Sequence, residues 1–496
     1  MPQLSSGHRM NDAEEEKSNK PMIHLLQKNR RQRRVATWAV SAITALTTIV
    51  HGAESAPKKS FYKAPLSYST TRDPDIPKYS RPGSARDFAS WKDLTWLDLG
   101  VDHRVRFEYR DDDIRRPVGG LDLPFLHRTR AYLGIRDLWD PFRFAVEMQD
   151  SRRYNGDFPK DNRDFNDAEL IRLQAELYFK DWLESDAYGN DRPVSLRYGI
   201  QNFEFLDRRL LGNNQWRNTA NTFLGFRGAI GQDANDWSLD LLAVQPLDRD
   251  INDWDRPVEG RWLYGFIGHW RQWQNVTLEP FYLAVDQNQT ATAEDRFVHS
   301  PGIRTYGVFG DSGFDFDGSL IRQFGHSGDL DMDAWAGNLE IGYRFKHAWK
   351  PRLSAFYGYA SGDQDPNDGQ DNRFERFYGF GRPWSANDYI VFENINTPKL
   401  RLELTPTEKL RVDLGYSWYY LASDTDRFNG NGARDKTGAS GSAIGHEFDI
   451  RARWQVREDL ETIVGYAHFT AGEFTRNTLR PDDTDFAYLE VNWRVF

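Results

Sequence analysis

From about Leu97 to Phe496 the chain runs in segments of about ten residues in which apolar and polar side chains alternate with a period of two, the pattern of strands with one face on hydrocarbon and the other on water. The first segment is the clearest. Leu99, Val101, His103, Val105, Phe107 and Tyr109 fall on one face, and Gly100, Asp102, Arg104, Arg106, Glu108 and Arg110 on the other. Further on, Phe142, Phe144, Val146 and Met148 oppose Arg143, Ala145, Glu147 and Gln149, and Ile171, Leu173, Ala175, Leu177 and Phe179 oppose Arg172, Gln174, Glu176 and Tyr178. The pattern predicts about 18 strands, the first at 97–110 and the last at 484–496. The connectors between them alternate in length. Even-numbered ones are short, as at Trp139-Asp140, Thr405 to Glu408 and Arg457 to Asp459; odd-numbered ones are long, as at 151–167, 203–219, 362–389 and 423–445. Only 181–192, long for a turn, and 325–330, short for a loop, break the rule. Short turns at one end and long loops at the other predict an all-β transmembrane antiparallel barrel, with periplasmic turns, external loops and both barrel termini in the periplasm of a Gram-negative envelope. A soluble propeller or tandem sandwich needs a repeat of about 40–50 residues, and none is visible.

The text ahead of the barrel differs. The apolar run Val35 to Val50 follows Arg30, Arg31, Arg33 and Arg34 and precedes the small residues Gly52, Ala53 and Ala56. It is too short for a bilayer span and has the flanks of a secretory signal, cleaved between Gly52 and Ala56. Residues 1–56 are therefore expected to be an N-terminal extension plus signal peptide, with Met22 an alternative start. Residues 57–96, rich in Pro, Ser, Lys and Arg through 57–90, are expected to be a flexible periplasmic lead-in, and 97–496 the barrel.

Composition adjusts this picture in three places. There are 17 Trp, 22 Tyr and 32 Phe beside 28% charged residues, and mean hydropathy is −0.73. A barrel accounts for that mixture through aromatic girdles at both interfaces and a polar lumen. The net charge of −10 argues against nucleic acid as a partner. With no cysteine, thiol chemistry, disulfides and thiolate metal sites are excluded.

Catalytic signatures are missing: there is no G-x-S-x-G elbow, P-loop or H-E-x-x-H, and the histidines are scattered. Neither an enzyme nor a cofactor is expected. Asp363, Asp365, Asn367 and Asp371 resemble a calcium loop, but the spacing is one residue off register, so a solvated acidic external loop is expected. The arginines carry more information. Arg104, Arg106, Arg128, Arg130, Arg143, Arg172, Arg197, Arg227 and Arg344 all fall on polar strand faces. Arginine stays charged at any working pH and forks onto carboxylates, so such a ladder suits guidance of a polyanion. Interleaved Glu and Asp could instead pair with it across strands and merely stiffen the wall.

The stretch Leu196-Arg197-Tyr198-Gly199-Ile200-Gln201, then Asp207-Arg208-Arg209-Leu210-Leu211-Gly212, Trp216-Arg217-Asn218-Thr219 and Thr222-Phe223-Leu224-Gly225, resembles the alginate-export outer-membrane family. Leu97 to Tyr109 and Tyr359-Ala360-Ser361-Gly362-Asp363 extend the resemblance over most of 97–496. It implies an 18-stranded barrel with an arginine-lined pore and adds Arg208 and Arg209 to the candidate lining. Ile200 stands where the family usually has Arg, and Leu224 where it usually has Asp, which suggests a lost ion pair. A long periplasmic plug late in the barrel, used by some members, has no counterpart in Arg457-Glu458-Asp459; any constriction is expected from an external loop such as Ser151 to Asp167. The resemblance implies passive passage of an anionic, alginate-like polysaccharide or oligosaccharide. A porin for small polar solutes and an outer-membrane carbohydrate-active enzyme are the alternatives. Expected partners are outer-membrane lipid, the saccharide and the barrel-assembly machinery.

Overall fold

The computed structural model describes residues 59–67, 72, 74–80, 94–116, 118–428 and 432–495. The expected signal peptide and Phe496 lie outside them. Eighteen long strands form the wall: β1 (Leu97–Asp111), β2 (Phe125–Trp139), β3 (Phe142–Tyr154), β4 (Asn166–Leu183), β5 (Arg192–Gln201), β6 (Phe223–Ile230), β7 (Trp237–Asp248), β8 (Arg261–Trp270), β9 (Val276–Gln287), β10 (Arg296–Val308), β11 (Phe314–Ser327), β12 (Leu330–Arg344), β13 (Arg352–Ala360), β14 (Ile395–Thr407), β15 (Leu410–Tyr420), β16 (Ala443–Arg457), β17 (Leu460–Ala471) and β18 (Thr484–Arg494). A short helix, α1 (Glu473–Thr478), lies between the last two. Each strand pairs antiparallel with its chain neighbours, and β18 closes the ring on β1 from Asp102↔Arg494 to Asp111↔Asp485.

The connector parity holds. Even connectors shrink to Asp140-Pro141, 408–409 and 458–459, while 202–222, 361–394 and 421–442 are long; 184–191 and 328–329 remain the exceptions. The two ends of the barrel are called here the turn end, where both barrel termini lie, and the loop end.

Alternation sorts the faces as predicted. Phe107, Leu173, Leu320 and Leu339 are exposed outward, whereas Arg104, Arg106, Glu108 and Glu147 are buried inward. Exposed aromatics gather at the turn end (Trp139, Phe142, Trp182, Trp273, Phe309, Trp349) and at the loop end (Tyr109, Tyr154, Tyr264, Phe324), the two girdles of a membrane barrel. One residue departs from its expected face. Ile171 is 2% exposed, because the register between β3 and β4 shifts after Glu147↔Arg172 to Met148↔Leu170 and the extra residue turns inward.

Inside the ring, the largest apolar cluster joins inward wall residues such as Val244, Leu263 and Phe281 to two loops folded into the lumen. Phe203, Phe205, Leu210 and Leu211 of loop 202–222 meet Phe374, Trp384, Ile390 and Phe392 of loop 361–394, and a parallel bridge joins Leu211 to Tyr378. These loops carry enough apolar surface to pack against one another instead of entering solvent.

Residues 74–80, expected in a flexible lead-in, lie against the lumenal wall, with Asp75, Pro77 and Tyr79 bordering the main cavity.

Candidate functional site

The main cavity has a volume of about 880 Å³ and is lined on one side by Arg104, Arg128, Arg130, Arg172 and Arg227. Glu408, Lys409, Asp459 and Arg494 also border it, so it reaches the turn end. At its other limit stands Trp216, which also borders a much smaller cavity among Arg106, Arg115, Arg163 and Arg217. The Trp216 ring contacts two guanidiniums, Arg106 at 4.0 Å and Arg382 at 3.7 Å from its centroid. Cation–π contacts from two guanidiniums to this half-buried indole hold the partition in place. Behind it, Asp388 receives Arg217 at 3.0 Å and Arg115 at 3.4 Å. Burial alone would raise its carboxyl, but these two arginines outweigh it and hold it below the usual range.

The 151–167 segment reaches this narrow region, where Arg163 and Asp164 border the smaller cavity. Its loop, 155–165, braces the partition from outside, where the Arg163 carbonyl accepts the backbone N–H of Asn218 at 3.1 Å. Loops 202–222 and 361–394 supply Trp216 and Arg382 to the partition.

The lumenal arginines fall into two electrostatic groups. In the first, each is matched to wall carboxylates. Arg172 reaches Glu147 at 3.2 Å, Arg197 reaches Glu176 at 2.8 Å, and Arg227 reaches Asp240 at 2.8 Å. Arg304 bridges Glu279 and Asp317, and Arg352 reaches Asp315, Glu340 and Glu403. These pairs cancel charge and tie neighbouring strands. In the second group the guanidiniums donate to uncharged oxygens. Arg104 donates to the carbonyls of Gln215 at 2.9 Å and Arg217 at 2.9 Å; Arg128 donates to the Gln215 carbonyl at 3.1 Å. Arg130 donates to Gln149 Oε1 at 2.7 Å and Gln215 Oε1 at 2.5 Å. Among the described residues Arg104 comes no nearer a carboxylate than 3.9 Å, from Glu490, and Arg128 no nearer than 3.9 Å, from Asp102. Among the described residues Arg130 and Arg382 have no ion pair. Carbonyl partners hold these arginines in place without neutralising them, so this sector of the wall carries a positive field in a low-dielectric surround.

The remaining predicted lining residues are dispersed. Arg208 borders the main cavity. Arg209 is buried, paired to Asp207 at 2.8 Å and set over Phe356 and Trp384. Arg143 lies toward the turn end on the Tyr178 ring and pairs with Asp137 at 2.6 Å. Arg344 borders a separate cavity with Arg352, Glu403 and Arg411. Cations not singled out from the sequence also reach the main cavity: Lys399, Arg401, Arg451 and Arg453 on β14 and β16, and Arg382 from a loop. The four strand residues follow the same alternation and were open to recognition; Arg382 carries no local signal. Asp363, Asp365, Asn367 and Asp371 do not converge. Asp365 caps the Asn367 backbone at 3.0 Å, Asp371 caps Arg373 at 3.0 Å, and among the described residues no three acidic or imidazole groups are arranged to hold a metal.

Position 200 faces outward. Ile200 and Leu224 are direct register partners on β5 and β6, in phase with the exposed Leu196, Tyr198 and Phe226. Their replacement of a charged pair alters the outward face and removes no arginine from the lumen.

A closed antiparallel ring of 18 strands with two aromatic girdles and a charged, partly open lumen defines an outer-membrane channel barrel. Residues 95–487 match the alginate export family, and the chain belongs to it. In fold it is similar to the outer membrane protein OprD from Pseudomonas aeruginosa, at 13% identity and a TM-score of 0.53, covering 80% of this chain and 94% of that one. It is likewise similar to OccD3 (OpdP) of that organism, at 10% identity and a TM-score of 0.54, covering 88% of this chain and 99% of the other. No curated relative matches the sequence.

Proposed function

We propose that the barrel passes an anionic saccharide of the uronate type by diffusion, with no covalent step, along the arginines whose charge the wall leaves uncompensated. The observation that carries this reading is the bonding of Arg104, Arg128 and Arg130 to neutral oxygens beside an open cavity. A lumen answers to its own lining, because charge on the outer surface is screened within about 8 Å at physiological salt. The acidic total of the chain therefore does not set the selectivity. Membership of the alginate export family supports a carboxylate-bearing sugar polymer as the cargo. The tight partition at Trp216 supports a second reading, a porin for small polar solutes, since a polymer would require loops 202–222 and 361–394 to move.

The test is the reversal potential of the refolded barrel in a potassium chloride gradient. Wild type should prefer anions, and replacing Arg104, Arg128 and Arg130 together by Gln should abolish most of that preference and weaken block by oligogalacturonate. A clear cation preference in the wild type would overturn the polyanion reading and leave the porin in its place.

A further inference from the structure

Asp75 sits where three wall arginines converge. Its carboxylate accepts Arg227 Nη1 at 3.0 Å and also Arg197, and Arg172 Nη1 stands 3.7 Å away. Arg172 Nη2 additionally donates to the Asp75 backbone carbonyl at 3.0 Å. Each of the three already has its own wall partner in Glu147, Glu176 or Asp240, so the wall is charge-balanced here without Asp75. What Asp75 occupies is the set of N–H groups left over, which point together at one spot bordering the main cavity. Convergent guanidinium donors of this kind recognise a single carboxylate.

The segment carrying Asp75 has a prepared seat. Tyr79 packs with Tyr132 and Ala145, and its hydroxyl donates to Glu147. On β1, a Cβ at Gly100 would come within 2.2 Å of the Tyr79 carbonyl oxygen, so only glycine at that wall position admits the segment.

We propose that Arg172, Arg197 and Arg227 form a binding site for one carboxylate of the transported saccharide, and that Asp75, on residues 74–80, fills it as a tethered stand-in until cargo displaces it. This rests on the anionic-cargo reading above. A tethered group competes at an effective concentration on the order of millimolar, so acetate should displace it poorly while an oligouronate, engaging several arginines at once, should succeed.

Burial would raise the Asp75 carboxyl, but Arg197, Arg227 and Arg172 outweigh that and hold it far below the usual range. Its folded-state value being depressed, the stabilising charge is present above the ordinary carboxylate value of about 3.9 and is lost only as pH falls through the lowered one. The seat therefore stays filled across neutral and mildly acidic pH.

The experiment measures, in planar bilayers, the concentration of hexagalacturonate that halves the current through full-length wild type, Asp75→Asn, and Asp75→Asn with Arg197→Gln, beside their reversal potentials. Asp75→Asn should lower the half-blocking concentration about tenfold or more, as removing a tethered competitor does, and adding Arg197→Gln should reverse the gain. Gly100→Val, which displaces the segment while keeping Asp75, should reproduce the first effect if the Asp75 variant assembles poorly. An anion-preferring wild type whose half-blocking concentration is the same in Asp75→Asn and Gly100→Val would overturn the carboxylate site alone; a cation-preferring wild type would overturn it together with the reading it rests on.

Discussion

At the scale of single residues, the side on which a position falls decides what its charge can do. Ile200 lies at the loop-end limit of β5, opposite Leu224, on the outward face. An arginine there meets the interfacial zone, where the cost in such barrels is about 0–1 kcal/mol, against about 2–4 kcal/mol at the midplane. Ile200→Arg should therefore assemble in nearly normal amounts and leave the reversal potential unchanged. A shift in ion selectivity would place position 200 in the lumen. The lost ion pair suggested at Ile200 and Leu224 carried no side with it, because composition at one position does not reveal phase. The strand alternation around it, Leu196 and Tyr198 exposed against buried Ser195 and Gln201, does. Ile171 was misplaced for the complementary reason: a bulge adds one residue to β4 and reverses its facing, and nothing local announces it.

At the scale of elements, strands and turns were legible because their determinants are local: a period of two, and a connector that is either short or long. The two inward loops were not. Their contacts, such as Leu211 with Tyr378, join residues far apart in sequence. Their apolar content was nevertheless visible, since Phe203, Phe205, Leu206, Leu210 and Leu211 are unusual in a loop expected to meet solvent. The loop between β7 and β8 carries its own pH dependence. Burial pushes the Asp255 carboxyl up to about 6, partly opposed by hydrogen bonds from Asn166 at 3.1 Å and from the Asp250 backbone at 3.1 Å. With its folded-state value raised, the neutral form stabilises this loop below the ordinary carboxylate value, and that contribution is lost as pH rises through about 6. Protection factors of the amides in 249–260, which remove the intrinsic rise of exchange with pH, should accordingly fall between the ordinary carboxylate value of about 3.9 and about 6, and Asp255→Asn should flatten that fall. Equal pH dependence in both proteins would assign the effect to another group.

At the scale of the whole barrel, we propose that the turn end faces the periplasm and the loop end the exterior. The chain has no cysteine, so a single introduced thiol reports unambiguously. An impermeant maleimide added to intact cells should label Gln364→Cys in the 361–394 loop and spare Glu408→Cys in a two-residue turn; labelling of Glu408→Cys alone would invert the orientation. The closing seam has a consequence for how such a wall can come into being. Every other pairing among the eighteen wall strands links strands adjacent in the chain and can zip as soon as both are present, whereas Asp102 meets Arg494 only after the whole sequence is available. Until then both margins of the growing sheet offer unmatched backbone donors and acceptors, a template for any passing strand. A chain cut short before Thr484 keeps all seventeen earlier strands and yet has no way to rid itself of those margins. Its fate is decided by the last eleven residues of pairing surface it lacks.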